Sequence, residues 1–338
     1  MKTKPITSKL TASEAVKNIL WELIRMREIS TSIIILVLAF SITLRAPSFL
    51  SANNILNIMM NISILIIVAL AQAMVIITRG IDLSVSSIIG LVGMMVGFIL
   101  RLYPETPIVF VVFLGMLLGS ILGSFNGLII TFGNVPPIIA TLGTLSIYRG
   151  LVFFYSQGTW VNSYELPISI KLLSKGTPLG VPNLILIAIL IALIASYFLK
   201  YTRTGRDIYA VGSNPDAAHY AGVRLNRIKF LVYLISGLLS GLAAVLWVSR
   251  FESAQTNSAL GFELQTVTAA VVGGVSTSGG VGSVPGVLLG ALLLGIIQNS
   301  LNLIRISAFW QLAAQGLLIL FAVISDKAIT ERVRRIRK

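Results

Sequence analysis

Residues 56–100 read LNIMMNISILIIVALAQAMVIITRGIDLSVSSIIGLVGMMVGFIL, two apolar runs separated by the polar stretch TRGIDLS at residues 78–84. Each run approaches the roughly 20 apolar residues that an α-helix needs to cross a bilayer. The pattern recurs along the chain, in apolar stretches at 29–45, 56–78, 84–101, 107–132, 137–156, 182–199, 228–249, 264–278, 283–303 and 308–325. The sequence therefore predicts an all-α integral membrane protein with about ten transmembrane helices.

The composition excludes most other classes of protein. Of 338 residues, 56% are hydrophobic and only 11% are charged, whereas soluble domains carry about a quarter charged residues. The mean hydropathy of +0.91 points the same way. The chain has no Cys and a single His, His219, which excludes disulfides, thiolate chemistry and a multi-histidine metal site. We expect no cofactor, no metal and no catalytic residues.

The net charge of +14 is concentrated in three places. Of 26 Lys and Arg, six lie in residues 1–30, six in 200–229 and six in 326–338. Basic residues beside membrane spans stay on the cytoplasmic side, so both termini and the loop between the sixth and seventh spans should share that side. An even number of spans, such as ten, also places both termini on the same side of the membrane. Nucleic-acid-binding arms are the alternative, but no aromatic residue interleaves the C-terminal basic run, so we expect no nucleic acid partner.

This charge pattern divides the chain into three parts. We expect residues 1–28 to form a cytoplasmic amphipathic segment, within which apolar residues at helical spacing predict a helix over 12–27. That helix lies on the inner membrane surface or extends the first span into the cytoplasm. Residues 29–325 form the membrane domain, which includes the cytoplasmic loop 200–227. Residues 326–338 form a basic cytoplasmic tail.

The chain also suggests an internal repeat. Residues 74–90 and 270–286 each combine an apolar run, a Gly/Ser-rich break and a further span with small residues. If spans 2–5 match spans 7–10, an offset of five helices inverts one copy, which is typical of transporters with their solute path at the repeat interface. Gly-rich helix packing that imitates a repeat is the alternative.

Several polar residues fall inside predicted spans. An Asp at membrane depth is costly unless it is paired, capped or hydrated. Asp82 can accept amide protons at the start of the third helix, pair with Arg79, or take part in gating or in the solute path. Thr141, Thr144 and Arg149 lie on the fifth predicted span.

Arg149 either reaches to the outer interface or donates to the hydroxyls of a polar solute. Asn126 is a further hydrogen-bonding group, in the fourth predicted span. Together with Asp82, Thr141 and Thr144, these two residues are candidates for the translocation path. Such groups more often hold helices together. The same reading applies to the small residues at every fourth position of the fourth span, Gly115, Gly119, Gly123 and Gly127.

The loop after the sixth span contains a short helix with strong end signals. Ser213 or Asn214 suits the N-cap, Pro215 suits the first helical position, and Asp216 opposes the helix dipole. Gly222 ends the helix after about two turns. Such a helix is suited to dock in a groove of a cytoplasmic partner, where Ala217, Ala218 and Ala221 allow close approach and His219 is a contact residue. An interfacial loop is the alternative.

No G-x-x-x-x-G-K-[ST] phosphate-binding loop occurs in the sequence. If ATP drives this protein, another subunit must therefore hydrolyse it. A carrier coupled to protons or sodium should hold several carboxylates inside its spans, whereas here only Asp82 does. A stand-alone secondary transporter or channel for a small polar solute nevertheless stays as the second hypothesis. A membrane enzyme is disfavoured because no acid–base or metal constellation is present.

Four motifs together resemble the permease subunits of ribose-type ABC sugar importers. They are TRGIDLS at 78–84, PIIATLGTL at 137–145, TGRDIYAVGSNPDAA at 204–218 and VGGVSTSGG at 272–280. The resemblance extends over residues 35–326. Arg79 departs from the small residue that most members have there.

This resemblance implies a ten-span fold similar to that of the vitamin B12-type importers, in a bacterial inner membrane. It implies two permease subunits, identical or paralogous, two cytoplasmic ABC ATPase subunits and a periplasmic or lipid-anchored sugar-binding protein. The short helix 214–222 would be the coupling helix that contacts the ATPase. Residues 148–151, 159–161 and 306–311 are most similar to the branch that handles rhamnose and autoinducer-2, with ribose close behind.

Overall fold

The computed structural model describes residues 27–304 and the further positions 310, 313, 316, 317, 320 and 324. The expected amphipathic helix 12–27 and the basic tail 326–338 lie outside the described residues, as does most of the expected span 308–325. The α-helices of the described part are α1 (Arg27–Arg45), α2 (Ala52–Ile77), α3 (Val85–Leu102), α4 (Ile108–Thr131), α5 (Pro137–Ser156), α6 (Ile168–Lys175), α7 (Asn183–Tyr201), α8 (Arg203–Ser213), α9 (Pro215–Tyr220), α10 (Leu225–Phe251), α11 (Phe262–Val272) and α12 (Val284–Leu303).

Seven of the described helices are long and apolar enough to cross a membrane, so the chain is a multi-pass membrane protein. These helices are α2, α3, α4, α5, α7, α10 and α12. They coincide with expected spans 2–7 and 9. Expected spans 1 and 8 coincide with shorter apolar helices, Thr31–Arg45 of α1 and Phe262–Val272. The expected span 264–278 was too long at its end, because the chain leaves the helix at Gly273 and turns through Gly274, whose φ is 93°.

The bundle has a buried inner layer and a peripheral layer. In the most apolar window of α2, 89% of the residues are buried, and 72% in α3 and α10, against 22% in α4 and 28% in α5 and α7. The outward faces of the peripheral helices carry exposed large apolar side chains such as Val109, Phe154 and Leu193. This is the arrangement expected of a bundle whose outer surface contacts lipid.

The small-residue face of α4 packs against α10 at close range. Gly115 lies near Gly241 and Gly123 near Tyr233, so the two helices run antiparallel. A Cβ atom at Gly119 would collide with the carbonyl oxygen of Gly237 and lie 2.7 Å from the Gly241 Cα. The predicted packing role of the glycine face is confirmed, since only glycine permits this backbone approach.

We call the end of the bundle that holds residues 200–227 the basal end. The opposite end holds the segment 157–182, which pairs with the loop after α10 through backbone hydrogen bonds of 3.0 Å between Val161 and Ala254. At this end Glu252 accepts hydrogen bonds from Lys175 and Ser163, and Lys171 lies 3.6 Å away. These partners lower the pKa of Glu252 to about 2. The network ties the two loops together.

The two sequence segments that suggested a repeat lie side by side. Arg79 and Gly274 have left-handed φ values of 66° and 93°, and each follows the last turn of its helix. The Gly280 amide donates to the Ile77 carbonyl at 2.9 Å, so both breaks lie at the basal end. The first break joins the second expected span to the third, and the other joins the eighth to the ninth. The two breaks are therefore an even number of spans apart, so the chain crosses the membrane in the same direction at both. This pair of segments therefore does not support an inversion.

Candidate functional site

The exposed helix in the 200–227 loop has the predicted end signals. Asn214, not Ser213, is the N-cap residue, and its Oδ1 accepts the Ala217 amide proton at 3.1 Å. Pro215 occupies the first helical position, and Asp216 lies in the first turn. Gly222 follows the helix with a φ of 83°, a conformation that glycine adopts without strain.

Helix α9 presents most of its surface to solvent. Ser213, Asn214, Asp216, Ala217, His219, Ala221 and Gly222 are exposed, and Tyr220 is 88% exposed. Ala218 is only 4% exposed, so it packs on its own chain and leaves Ala217 and Ala221 as the small residues open to a partner. Tyrosine is enriched in protein interfaces, so Tyr220 makes this face of α9 a candidate contact surface. Tyr220 was missed by the sequence reasoning.

A second helix, α8, precedes α9 and was also missed. Thr202 is its N-cap, with the hydroxyl oxygen accepting the Gly205 amide proton at 3.0 Å. Ile208, Val211 and Gly212 are buried on one face, at the i, i+3, i+4 spacing of an amphipathic helix. This spacing was the available signal.

The C-terminal end of α8 is bound to the turn after α2 by Arg79. The Arg79 Nε donates to the Gly212 carbonyl at 2.7 Å, and its Nη2 donates to the Ser213 carbonyl at 2.8 Å. These are among the last carbonyl groups of α8, where a cation is also favoured by the helix dipole. The alternative pairing of Arg79 with Asp82 is not formed, because the guanidinium binds carbonyl groups of α8 instead.

The loop between α11 and α12 completes this junction. A Cβ atom at Gly280 would lie 2.6 Å from the Ser213 Cα, and one at Gly212 would lie 2.6 Å from the Gly280 amide nitrogen. The Tyr209 hydroxyl donates to the Gly282 carbonyl at 2.9 Å. We call this meeting point of α2, α8 and the α11–α12 loop the basal junction. Residues Gly212 and Ser213, directly before α9, thus contact both the turn after α2 and the α11–α12 loop.

A buried polar cluster lies behind the basal junction, around Asp82. The Asp82 Oδ1 accepts the Ser84 amide proton at 3.0 Å and the Ser84 hydroxyl at 2.7 Å, where α3 begins. Its Oδ2 accepts the Ser236 hydroxyl of α10 at 2.7 Å. Asp82 thus accepts an amide proton beside the start of α3, although Ser84, not Asp82, is the N-cap residue. Asp82 is fully buried, and in the part of the chain that the structure describes its side chain contacts neutral donors only.

Buried Gln72 supports the same residue from α2. With its amide oriented to satisfy both groups, the Gln72 side chain donates to the Asp82 carbonyl and accepts from the Asp82 amide, each at 3.1 Å. The backbone between α2 and α3 is therefore held by side chains where no helix supplies hydrogen bonds.

Asn126 and Thr141 join this cluster from α4 and α5. The Asn126 Nδ2 donates to the Ser84 hydroxyl oxygen at 2.7 Å, and the Thr141 hydroxyl lies 3.1 Å from the Ile81 carbonyl. Thr144 lies one turn further along α5, where its hydroxyl lies 3.3 Å from the carbonyl of Thr141. Asn126 and Thr141 have no exposed surface and Thr144 is 2% exposed, so in this conformation all three face the interior of the chain.

Arg149 lies apart from the cluster. Its Nη1 donates to the carbonyls of Thr256 at 3.2 Å and Ser258 at 3.0 Å, in the loop after α10. It fits beside Gly90 of α3, where a Cβ atom would lie 2.9 Å from the same nitrogen. Arg149 thus reaches toward the end of the bundle opposite the basal end, in the direction expected of an interfacial arginine, and it holds a loop.

This architecture, a membrane bundle with an exposed helix at one end, has known relatives. Residues 54–323 match the family described as "Branched-chain amino acid transport system / permease component". The chain belongs to this permease family. The family covers the bundle from α2 onward, including the basal junction and the polar cluster. No solved structure matches the chain.

Individual members of the permease family match along nearly their whole length. The ribose import permease protein RbsC of Haemophilus influenzae is 39% identical over 296 residues, 87% of this chain and 91% of that protein. The autoinducer 2 import system permease protein LsrC of Enterobacter sp. is 36% identical over 313 residues, 93% of this chain and 90% of that protein. The D-allose transport system permease protein AlsC of Escherichia coli is 32% identical over 299 residues, covering 88% and 91%.

Proposed function

We propose that this permease is the transmembrane subunit of an ATP-binding cassette importer and forms the path for a small sugar or sugar-like solute. The observation that carries the proposal is helix α9. It is capped at both ends, exposed, and joined through the basal junction to three elements of the bundle. A helix built in this way receives force from a partner and passes it inward, as expected of the subunit that does not itself hydrolyse ATP.

We further propose that α9 contacts the ATPase subunit with Asn214, Asp216, Ala217, His219 and Tyr220. The basal end is then cytoplasmic, which the basic residues of the 200–229 segment favour. Both termini lie on that side. A second permease copy or a paralogue, and a periplasmic or lipid-anchored binding protein, complete the assembly in a bacterial inner membrane.

The helix packing supports the proposed ten-span fold and its inverted repeat. If spans 2–5 correspond to spans 7–10, then α2 and α10 are equivalent helices. Each of them should then pack on helices of the other half. Helix α10 packs on α2, α3 and α4, and α2 packs on α10, α11 and α12. Gly295 of α12 packs against the Ile62 side chain of α2. This exchange is that expected of two inverted halves, which we propose are arranged in a vitamin B12-importer-like fold.

For the path we propose an indirect role of the polar cluster. Asp82, Asn126, Thr141 and Thr144 hold the start of α3 against α4 and α5, and a movement of the basal junction changes their packing. Arg149 holds the loop at the opposite end in the same manner. In this proposal these residues do not contact the solute but hold in place the helices that line its path.

The proposed solute is a small polyhydroxylated molecule. The relatives reported above are named for ribose, autoinducer 2 and D-allose. Ribose and autoinducer-2 are the first two solutes to test. Rhamnose rests on the resemblance of the short motifs near residues 148–161 and is the third.

The test is copurification and transport with two matched variants. The tagged full chain is isolated from native membranes, and the proteins that accompany it are identified by mass spectrometry. We expect an ABC ATPase. Its recovery should fall in the variant H219A/Y220A, whereas Tyr164→Ala, which removes an 84% exposed ring at the opposite end, should retain it.

The second hypothesis, a stand-alone secondary transporter or channel, predicts the opposite. In that case the chain takes up solute in liposomes without ATP or partners, and H219A/Y220A transports normally. Normal ATP-dependent transport after deletion of residues 213–222 would likewise contradict the role of α9.

A further inference from the structure

A cavity of about 590 Å³ opens at the basal end, between the start of α8 and the start of α10. Its lining includes Arg203, Arg224 and Arg227, with Asp207 as the acidic member. We call it the arginine cleft. It is separate from the basal junction, which lies at the other end of α8.

The three arginines of the cleft have no partners within the chain. In the part of the chain that the structure describes, none of their guanidinium groups forms a hydrogen bond or an ion pair, and Asp207 forms no salt bridge. Arg79, at the same end of the bundle, binds two carbonyls. Three arginines against the single carboxylate of Asp207 leave the lining with an excess of positive charge, which a bound anion offsets.

The position of the cleft indicates which anion this is. Helix α10 has 27 residues, about 40 Å at 1.5 Å per residue, whereas the hydrocarbon core is about 30 Å thick. The helix is therefore longer than the hydrocarbon core is thick, and its basic start, with Arg227 and Lys229, belongs in the headgroup layer. The apolar part of the lining, Ile228, Phe230 and Leu231, lies in the first two turns of α10, directly beside Arg227.

We propose that the arginine cleft binds the phosphate headgroup of an anionic phospholipid from the adjoining leaflet. The guanidinium groups offer paired N–H donors that match phosphate oxygens, and the apolar wall accommodates the first part of the acyl chains. Basic pockets beside membrane helices on the cytoplasmic side bind such headgroups in general. An acidic segment of a soluble partner would find the charge but would leave the apolar wall unused.

The test measures lipid retention by the purified full chain. Neutral detergent micelles are doped with phosphatidylglycerol or, as the matched control, with phosphatidylcholine of the same acyl chains, and bound lipids are counted by native mass spectrometry. We expect phosphatidylglycerol to be retained about tenfold more strongly, because the choline cation of phosphatidylcholine lies beside its phosphate and offsets the attraction to the three arginines.

Two triple variants locate the site. R203Q/R224Q/R227Q should lose the preference for phosphatidylglycerol, and Arg227→Gln alone should lose part of it. K200Q/R206Q/K229Q removes the same charge at the same end, outside the cleft, and should retain it. The cleft arginines are exposed and unpaired, so these variants should fold, which the melting temperature checks. Equal retention by both triple variants overturns the proposal.

Two further outcomes separate the sources of the anion. Soluble dihexanoyl phosphatidylglycerol should displace the retained lipid at lower concentration than inorganic phosphate, because of the apolar wall. Equal potency would show a site for free phosphate and overturn the lipid proposal. Loss of an acidic protein partner from R203Q/R224Q/R227Q, with unchanged lipid retention, would show a docking surface instead. None of these measurements requires an ATPase, so they stand apart from the transport proposal.

Discussion

Replacing Arg79 by glycine tests whether the basal junction joins α9 to the bundle. The change removes the hydrogen bonds to the carbonyls of Gly212 and Ser213. It leaves the backbone free to keep its φ of 66°, which glycine adopts more readily than arginine. The variant therefore removes the connection without forcing the turn after α2 into another shape.

The expected magnitude follows from the two bonds and the backbone. A hydrogen bond from a charged donor contributes about 1.5–3 kcal/mol, and less where it is exposed, as the Ser213 bond is. We take about 2 kcal/mol for both together. Glycine adopts the left-handed backbone conformation without the strain that arginine has there, which stabilises the variant by about 1 kcal/mol. The net weakening is then about 1 kcal/mol, a factor of about five in an equilibrium constant.

Amide hydrogen exchange measures this change directly in the purified permease. Exchange in α8 and α9 should become about fivefold faster in Arg79→Gly, with exchange in α10 unchanged. Arg206→Gln is the control, since it removes a cation from the exposed side of α8, away from the junction. In a reconstituted transporter, solute moved per ATP should fall while ATP hydrolysis continues.

Unchanged exchange in α8 and α9 would refute the role of Arg79 in the junction. Faster exchange with unchanged transport per ATP would confirm the contact and refute its part in coupling. Faster exchange throughout the chain would show a loss of global stability instead.

Three further predictions concern stability. Gly119→Ala should lower the melting temperature strongly, by a destabilisation of about 3 kcal/mol or more from overpacking, whereas Gly143→Ala, where a Cβ atom meets nothing within 4 Å, should be neutral or slightly stabilising. Ser236→Ala should cost about 1–3 kcal/mol because the buried carboxylate loses a donor, whereas Ser240→Ala, whose hydroxyl is buried without a partner, should not. The lowered pKa of Glu252 contributes stability above pH 4.5 that is lost as the pH falls toward about 2, and Glu252→Gln should remove that dependence.

Each of these predictions has a result that contradicts it. Equal melting temperatures for the two glycine variants would mean that α4 and α10 separate at little cost. Equal effects of the two serine variants would mean that the carboxylate does not need its bond to α10. A pH dependence of unfolding that Glu252→Gln leaves intact would place the titrating group elsewhere. Glu105→Gln, at an exposed carboxyl of the same end, controls for charge removal.

The helices themselves were predictable because their signals are local. Long apolar runs, the Asn214 cap and Gly222 depend only on neighbours along the chain, and the structure reproduces them. The four-residue glycine spacing of α4 was likewise predictable as a packing face. Helix α8 was missed although its signals were also local, because the basic and polar residues between its buried positions obscured the period.

What the sequence could not decide is which distant residues meet. Asp82 had several possible partners, and the left-handed turn at Arg79 directs that guanidinium to Gly212 and Ser213 instead. The similar breaks at 78–84 and 273–283 suggested an inversion, yet they lie together at one end. Such contacts depend on how helices far apart in sequence pack. The chain alone therefore determined a membrane permease with an exposed capped helix, and only the tertiary structure decided what that helix is joined to.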